Sequence, residues 1–207
     1  MKLPPRTVER LSKYRRLLGK YIKVEGAHIF SHDLARLLNL TPVQVRRDLM
    51  LLGISGNHRR GYNINDLIER IGQMIDVDNG HNIAIVGMGN LGRAVTAFIR
   101  KSESKMNILA GFDVDPAKVN SSIVGVPCYH VDSVPKVVTD LSIDIAILTT
   151  PPDSAKEIAK VLIESGVKGL LNFTSVHLDV PEDVYLKDYD IVTSLEEIGF
   201  FIKPPLN

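Results

Sequence analysis

The chain has a single cysteine, Cys128, among its 207 residues. One cysteine excludes an internal disulfide framework, and no Cys/His cluster has the spacing of a zinc site. Cys128 lies in Val126-Pro127-Cys128-Tyr129, on or beside a short strand, where it reads as a small core residue rather than a redox sensor. No apolar run approaches ~20 residues, so nothing reads as a membrane span. The first residues, Met1-Lys2-Leu3-Pro4-Pro5-Arg6, lack the apolar stretch of a secretory signal, and a cytoplasmic location follows by default. Low-complexity segments are missing, as are internal repeats beyond an alternation of strands and helices.

What is present has an ordinary globular composition, 44% hydrophobic and 24% charged, with enough length for one large domain or two small ones. The net charge of +1 hides an asymmetry. Residues 1–70 carry 14 Lys/Arg against 6 Asp/Glu, a balance of +8, whereas residues 71–207 carry 11 against 18, a balance of −7. A basic half of this kind suits a polyanion, although a solvated basic face would give the same count.

In the basic half, Val8, Leu11, Tyr14, Leu18 and Ile22 recur at helical steps after Pro4-Pro5. A second helix is expected from Ser31, with Leu34, Leu37 and Leu38 facing inward. The third has the clearest start: Thr41 as N-cap, Pro42 in the first helical position and Gln44 closing a capping box. Val45, Leu49 and Leu52 then face the core, leaving Gln44, Arg46 and Arg47 on or near the outside. This helix-turn-helix places basic and amide side chains where base edges are read in the major groove. Gly53 ends the helix. Gly56 to Tyr62, with Arg59 and Arg60, reads as a hairpin wing suited to phosphate or minor-groove contact, with a plain solvated loop as the alternative. Asn65 is expected to cap a fourth helix bearing Leu67, Ile68, Ile71 and Ile75, and Asp76 to Gly80 reads as a linker. The expected division is a winged-helix DNA-binding domain over residues 1–78 and a nucleotide-binding domain over 79–207.

The acidic half opens with an apolar strand, Asn82 to Val86, running into Gly87-Met88-Gly89-Asn90-Leu91-Gly92 and then a helix to about Lys101. In a Gly-x-Gly-x-x-Gly turn the first glycine makes the bend, the second admits a pyrophosphate and the third lets helix and strand pack closely. A second strand, Ile108 to Phe112, ends at Asp113, 21 residues beyond Gly92, where an acid should meet the adenosine ribose hydroxyls. Asp115 competes for that role but fits a helix-start cap better. With no Arg directly after the acid, NAD is favoured over NADP. Strands at 143–148 and 167–173, a helix from about 153 to 165, a further strand at 185–192 and a last helix at 193–202 complete a doubly wound parallel sheet. Thr149, Thr150, Pro151, Asn172 and Phe173 stand at strand carboxyl ends, where ligands bind, though Thr149 to Pro152 would also make a plain strand-to-helix turn. A Rossmann-type domain that binds another nucleotide, or none, is the competing reading.

The histidines are residues 28, 32, 58, 81, 130 and 177. Only His130 and His177 follow strand-like segments of the second half, and neither has an obvious carboxylate partner in sequence. No Tyr-x-x-x-Lys pair is present. No catalytic residue and no metal ligand is assigned, and an enzyme is not expected.

The chain resembles the redox-sensing transcriptional repressor family Rex over nearly its whole length. The likeness rests on Arg10-Leu11 with Tyr14 and Arg16, Gln44-Val45-Arg46-Arg47-Asp48-Leu49, Gly61-Tyr62-Asn63, Val86 to Gly92, Phe112-Asp113-Val114-Asp115-Pro116, and Leu171-Asn172-Phe173. It implies a homodimer that exchanges C-terminal helices and binds palindromic operator DNA, with NADH releasing DNA and NAD favouring or permitting binding. The DNA-binding set it implies is Arg10, Arg16, Gln44, Arg46 and Arg47, with Arg59 and Arg60 in the wing. The cofactor-binding set is Gly87, Met88, Gly89, Asn90, Leu91, Gly92, Asp113, Thr149, Thr150, Pro151, Asn172 and Phe173. Phe98 and Asn90 stand where some members carry a Tyr and an Arg that couple to an aspartate matching Asp190. Thr174-Ser175 replaces Ala-Pro, and Leu51-Leu52 stands where aromatic residues are common. Two rivals remain: a small NAD-dependent oxidoreductase with a basic accessory domain, and a Rossmann scaffold that binds DNA constitutively.

Overall fold

The computed structural model describes residues 3–21, 26–102 and 105–203. They form two compact units, Met1–Asp78 and Asn79–Asn207.

The first unit is helical, with one small ribbon. Helix α1 (Pro5–Leu18) buries Leu11, Tyr14 and Leu18, while Val8, expected on the same face, is exposed. Ile22 lies outside the described residues. Strand β1 (His28–Ile29) precedes α2 (Ser31–Leu37), which buries Leu34 but leaves Leu37 exposed, contrary to the expected inward face. Helix α3 (Pro42–Leu51) starts as its capping residues require: the Thr41 hydroxyl accepts the Gln44 N–H at 3.2 Å. Strand β2 (Tyr62–Asn63) pairs antiparallel with β1. Helix α4 (Ile64–Ile75) is capped by Asn63, whose side chain accepts the Asp66 N–H at 3.1 Å; Asn65, the expected cap, lies inside the helix. Pairing of β2 with β1 extends the backbone through Asn63, so the helix begins at Ile64, two residues earlier than a cap at Asn65 would allow. Leu11, Leu18, Leu34, Val45, Leu49, Leu67 and Ile71 form one shared core.

In the second unit, β3 (His81–Val86) leads into α5 (Asn90–Arg100) and returns through β4 (Met106–Asp113). A hairpin follows, β5 (Ser122–Ile123) and β6 (Val126–His130), turning on Val124 and Gly125 at φ 53° and 72°. A two-residue turn with both φ positive matches strand twist, but a β-branched residue rarely enters it, so Gly125 is the one turn signal the sequence carries there. Helix α6 (Val134–Asp140), strand β7 (Ile145–Leu148), helix α7 (Pro152–Glu164) and strands β8 (Gly169–Asn172) and β9 (Tyr185–Asp188) complete the sheet, and α8 (Ile191–Phe201) ends the unit. Strand β9 is shorter than the expected 185–192 because the Asp190 carboxylate accepts the Val192 and Thr193 N–H groups and starts α8.

The strand order is β5-β6-β4-β3-β7-β8-β9, parallel throughout except for the β5–β6 hairpin. Alternate residues of β3 enter two different cores: Ala84 and Val86 pack with Phe112, Leu148 and Leu162, while Ile83 and Ile85 pack with Met88, Cys128 and Ile147. A strand buried on both faces explains its continuous apolar run. Helix α8 is different. Val192, Leu195, Ile198 and Phe201 are all exposed along it. The described residues of the chain leave its apolar surface uncovered.

Candidate functional site

The strand order places a switch point between β3 and β7. The chain leaves β3 toward β4 on one side and later crosses to β7 on the other, opening a crevice at the carboxyl ends of both strands. The glycine turn follows β3, and Thr149 to Pro151 follow β7. Gly87 sits at φ +96°, and a Cβ there would lie 2.7 Å from the Thr149 carbonyl oxygen. A Cβ at Gly92 would lie 2.1 Å from the Gly87 oxygen, so the helix can approach the turn only without a side chain. Gly89 is different: nothing among the described residues lies within 4 Å of an added Cβ, which leaves open space over the turn. Thr149 fastens the arrangement, its hydroxyl donating to the Gly87 carbonyl at 2.8 Å. No side chain caps α5 at Gly89, so its first N–H groups and the positive end of the helix dipole face the crevice uncompensated. The buried Thr150 hydroxyl has no hydrogen-bond partner among the described residues. An open glycine, an uncapped helix start and an orphaned hydroxyl in one crevice fit a pyrophosphate-containing dinucleotide.

Asp113 closes one end of the crevice from β4. It is 7% exposed. Its Oδ2 accepts the Met88 N–H at 2.8 Å and the Lys118 ammonium at 2.9 Å, and its Oδ1 accepts the Asp115 N–H at 3.0 Å. Burial opposes ionisation of Asp113, but the Asp115 N–H, Lys118 and the Met88 N–H outweigh it and hold the carboxyl below its ordinary value. Hydrogen bonding to Asp113 in turn raises Lys118. Asp115 caps the turn that follows, accepting the Ala117 N–H at 3.0 Å. Met88, expected among the cofactor contacts, is a core residue instead: its side chain is fully buried against Ile83, Ile85 and Cys128, and its N–H is taken by Asp113. Cys128 is buried as well, and burial pushes its thiol up, away from reactive thiolate character.

At the other end, Asn172 is 2% exposed and its amide is committed. It donates to the Val176 carbonyl and to Asp188, both at 2.8 Å, and accepts the Thr174 hydroxyl at 2.6 Å. Expected as a ligand contact, Asn172 acts as a brace for the segment after β8. Phe173 follows it, with its ring 5.1 Å from that of Tyr189. Asn90 and Leu91 are exposed at the start of α5.

In the first unit, Arg16, Arg46, Arg47, Arg59 and Arg60 are exposed, and Gln44 is half-buried. Arg46 reaches the Ser31 hydroxyl at 3.4 Å, so α2 and α3 share that face. The wing tip is set by Asn57, whose side-chain oxygen accepts the Arg59 and Arg60 N–H groups at 2.8 and 3.2 Å. Arg10, expected among the DNA contacts, points inward. Its guanidinium grips Asp48 through two bonds of 2.6 and 2.7 Å, and Tyr14 donates to the same carboxylate at 2.7 Å. Burial and the bond to Asp48 push the Tyr14 hydroxyl up, so it remains a neutral donor. Asp48, 1% exposed, is the residue that sequence reasoning passed over. The signal was available: it falls on the inner face with Val45, Leu49 and Leu52, where a carboxylate needs a partner.

His130 caps a short turn and pairs with Asp132, and His177 pairs with Asp179 in an exposed loop. No group of three metal-ligating side chains occurs among the described residues, and no helix among them is long and apolar enough to cross a membrane.

Comparison with known proteins bears on both units. Residues 2–49 match the family described as putative DNA-binding protein N-terminus, and residues 78–176 match the CoA binding domain family. A redox-sensing transcriptional repressor Rex from Listeria welshimeri is 34% identical over 203 residues, covering 98% of this chain and 94% of that protein. The Rex protein of Natranaerobius thermophilus is also 34% identical, covering 99% and 93%. Among solved structures, RSP in complex with beta-NAD+ and operator DNA is 30% identical, with a TM-score of 0.88, and covers 98% of this chain and 93% of its own. RSP in complex with beta-NADH gives 29% identity and a TM-score of 0.85 over 98% and 95%. With identity of this level along nearly the full length, joined to a wing, a capped basic helix and a glycine-turn crevice, the chain belongs to the family of redox-sensing transcriptional repressors Rex.

Proposed function

We propose that this chain represses transcription by binding a palindromic operator as a homodimer, and that it senses the NADH/NAD ratio, with NADH binding releasing DNA. The observation that carries the reading is the joining of an exposed basic helix and wing to a switch-point crevice shaped for a dinucleotide. NAD and NADH are the cofactors. The first N–H groups of α5 would hold the pyrophosphate, Asp113 the adenosine ribose, and Thr149, Thr150, Pro151 and Phe173 would line the nicotinamide end, with Asn172 bracing it. In the DNA set, Arg46 and Arg47 would meet base edges or flanking phosphates, with Gln44 beside them, and Arg16, Arg59 and Arg60 would meet the backbone. Arg10 is left out of that set because Asp48 engages it. The exposed apolar face of α8 supports a second copy of the chain as its cover. As a regulator the protein needs no acid/base pair, and we read it as a cytoplasmic non-enzyme.

Cofactor can shift such a dimer only by its differential affinity for two arrangements of the subunits. Two recognition helices must lie about one DNA turn apart, ~34 Å, to enter successive major grooves, and a modest rotation spoils that spacing. The test is Arg46→Ala. It should abolish operator binding and leave NADH affinity intact. Equal loss of both would refute the two-module reading.

A further inference from the structure

At the Asp113 end of the crevice stands a cation that residue spacing did not announce. The turn capped by Asp115 brings Lys118 back, five residues on, to 2.9 Å from Asp113 Oδ2 and 3.6 Å from Asp115 Oδ2. Its side chain is 23% exposed, so the ammonium is only partly hydrated. An ammonium has three N–H donors, and Asp113 occupies one of them. A ribose hydroxyl accepted by Asp113 therefore arrives beside a cation that is already placed.

We infer that Lys118 determines which adenosine ribose this site accepts: bound to Asp113 it serves a free 2′-hydroxyl, and released from Asp113 it would serve a 2′-phosphate. The inference rests on the cofactor reading above. Two carboxylates against one ammonium leave the intact site one negative charge, which repels a phosphate carrying about −1.5 to −2. Neutralising Asp113 brings that balance to zero, and Lys118 then faces the phosphate with only the more distant Asp115 as a competitor. A lysine is a point-charge phosphate partner of the kind this needs. Sequence spacing favours NAD because no Arg directly follows the acid. In the folded chain a cation is nevertheless present, and NAD preference depends on Asp113 holding it.

The test compares NADH and NADPH binding, followed by nucleotide fluorescence at fixed salt, in the wild type, Asp113→Asn, Asp113→Asn/Lys118→Met and Asp113→Asn/Lys118→Arg. Thermal melts confirm that each variant is folded. The wild type should prefer NADH. Asp113→Asn should raise NADPH affinity relative to NADH at least ~10-fold, Lys118→Met in that background should remove the gain, and Lys118→Arg should keep it. A gain that survives Lys118→Met, or no gain in Asp113→Asn, would overturn the role of Lys118 alone. A wild-type protein that binds neither nucleotide would overturn the cofactor reading and this inference with it.

Discussion

Replacing Asp48 with Ala should cost the DNA-binding unit most of its stability without removing any side chain that meets DNA. Asp48 on α3 is 1% exposed and accepts three hydrogen bonds from α1, two from Arg10 and one from Tyr14. Removing one partner of a buried ion pair costs about 3–5 kcal/mol. Arg10 retains some access to water, its side chain being 17% exposed, which draws the figure toward the lower end. The Tyr14 hydroxyl has no such relief, because Tyr14 is fully buried. An expectation of ~3 kcal/mol corresponds to a fall in Tm of roughly 12–24 °C for a unit of this size. The assay is thermal unfolding of the full chain by circular dichroism, with hydrogen exchange on α1 and α3 to locate the change. Operator binding should fall as the unit unfolds, and NADH binding should not. Arg46→Ala is the contrast, losing operator while melting as the wild type does. An Asp48→Ala protein that melts normally yet fails to bind DNA would refute the reasoning and assign the carboxylate to recognition.

Three further outcomes follow from the site. Gly92→Ala should cut NADH affinity at least ~10-fold and lower stability, since its Cβ would meet the Gly87 oxygen at 2.1 Å; Gly89→Ala should lower affinity with Tm unchanged, since nothing among the described residues lies within 4 Å of its Cβ. The stability that ionised Asp113 contributes should be present above the ordinary carboxylate pKa of about 3.9 and disappear as pH falls through its lowered folded value. The stability difference between the wild type and Asp113→Asn should therefore shrink as pH falls from about 4 and vanish below that lowered value. Leu195→Asp on the exposed face of α8 should shift the protein toward monomer in analytical ultracentrifugation and weaken operator binding, while an unchanged dimer would place the subunit interface elsewhere.

Much of the fold was legible because local signals and burial agreed. Thr41-Pro42 with Gln44 marked the start of α3, and the glycine turn sat between an apolar strand and a helix, as its geometry demands. Most of the departures originate in contacts distant in sequence, and Lys118 in a turn that folds back over five residues. Arg10 looks like one more surface arginine until Asp48, 38 residues away, is brought against it. Met88 looks like part of a phosphate-binding loop, yet its side chain turns into the core beneath β3. Lys118 becomes visible only when the Asp115 turn folds back. Asn63 and Asn65 are equivalent as caps on local grounds, and the pairing of β2 with β1 decides between them. The segment of α8 was legible as a helix, but its exposure appears only once the other described residues are seen to leave its apolar face bare.

The most direct test of the central claim is a titration of the protein onto a palindromic DNA site taken from the region upstream of its gene, at fixed salt, with saturating NAD and then with saturating NADH. Salt must be held constant because phosphate contacts make affinity steeply salt-dependent. The account predicts that NADH weakens binding at least ~10-fold relative to NAD, a coupling of about 1.4 kcal/mol or more. Tight binding that is indifferent to either nucleotide would contradict it, leaving a DNA-binding protein whose crevice does not report redox state.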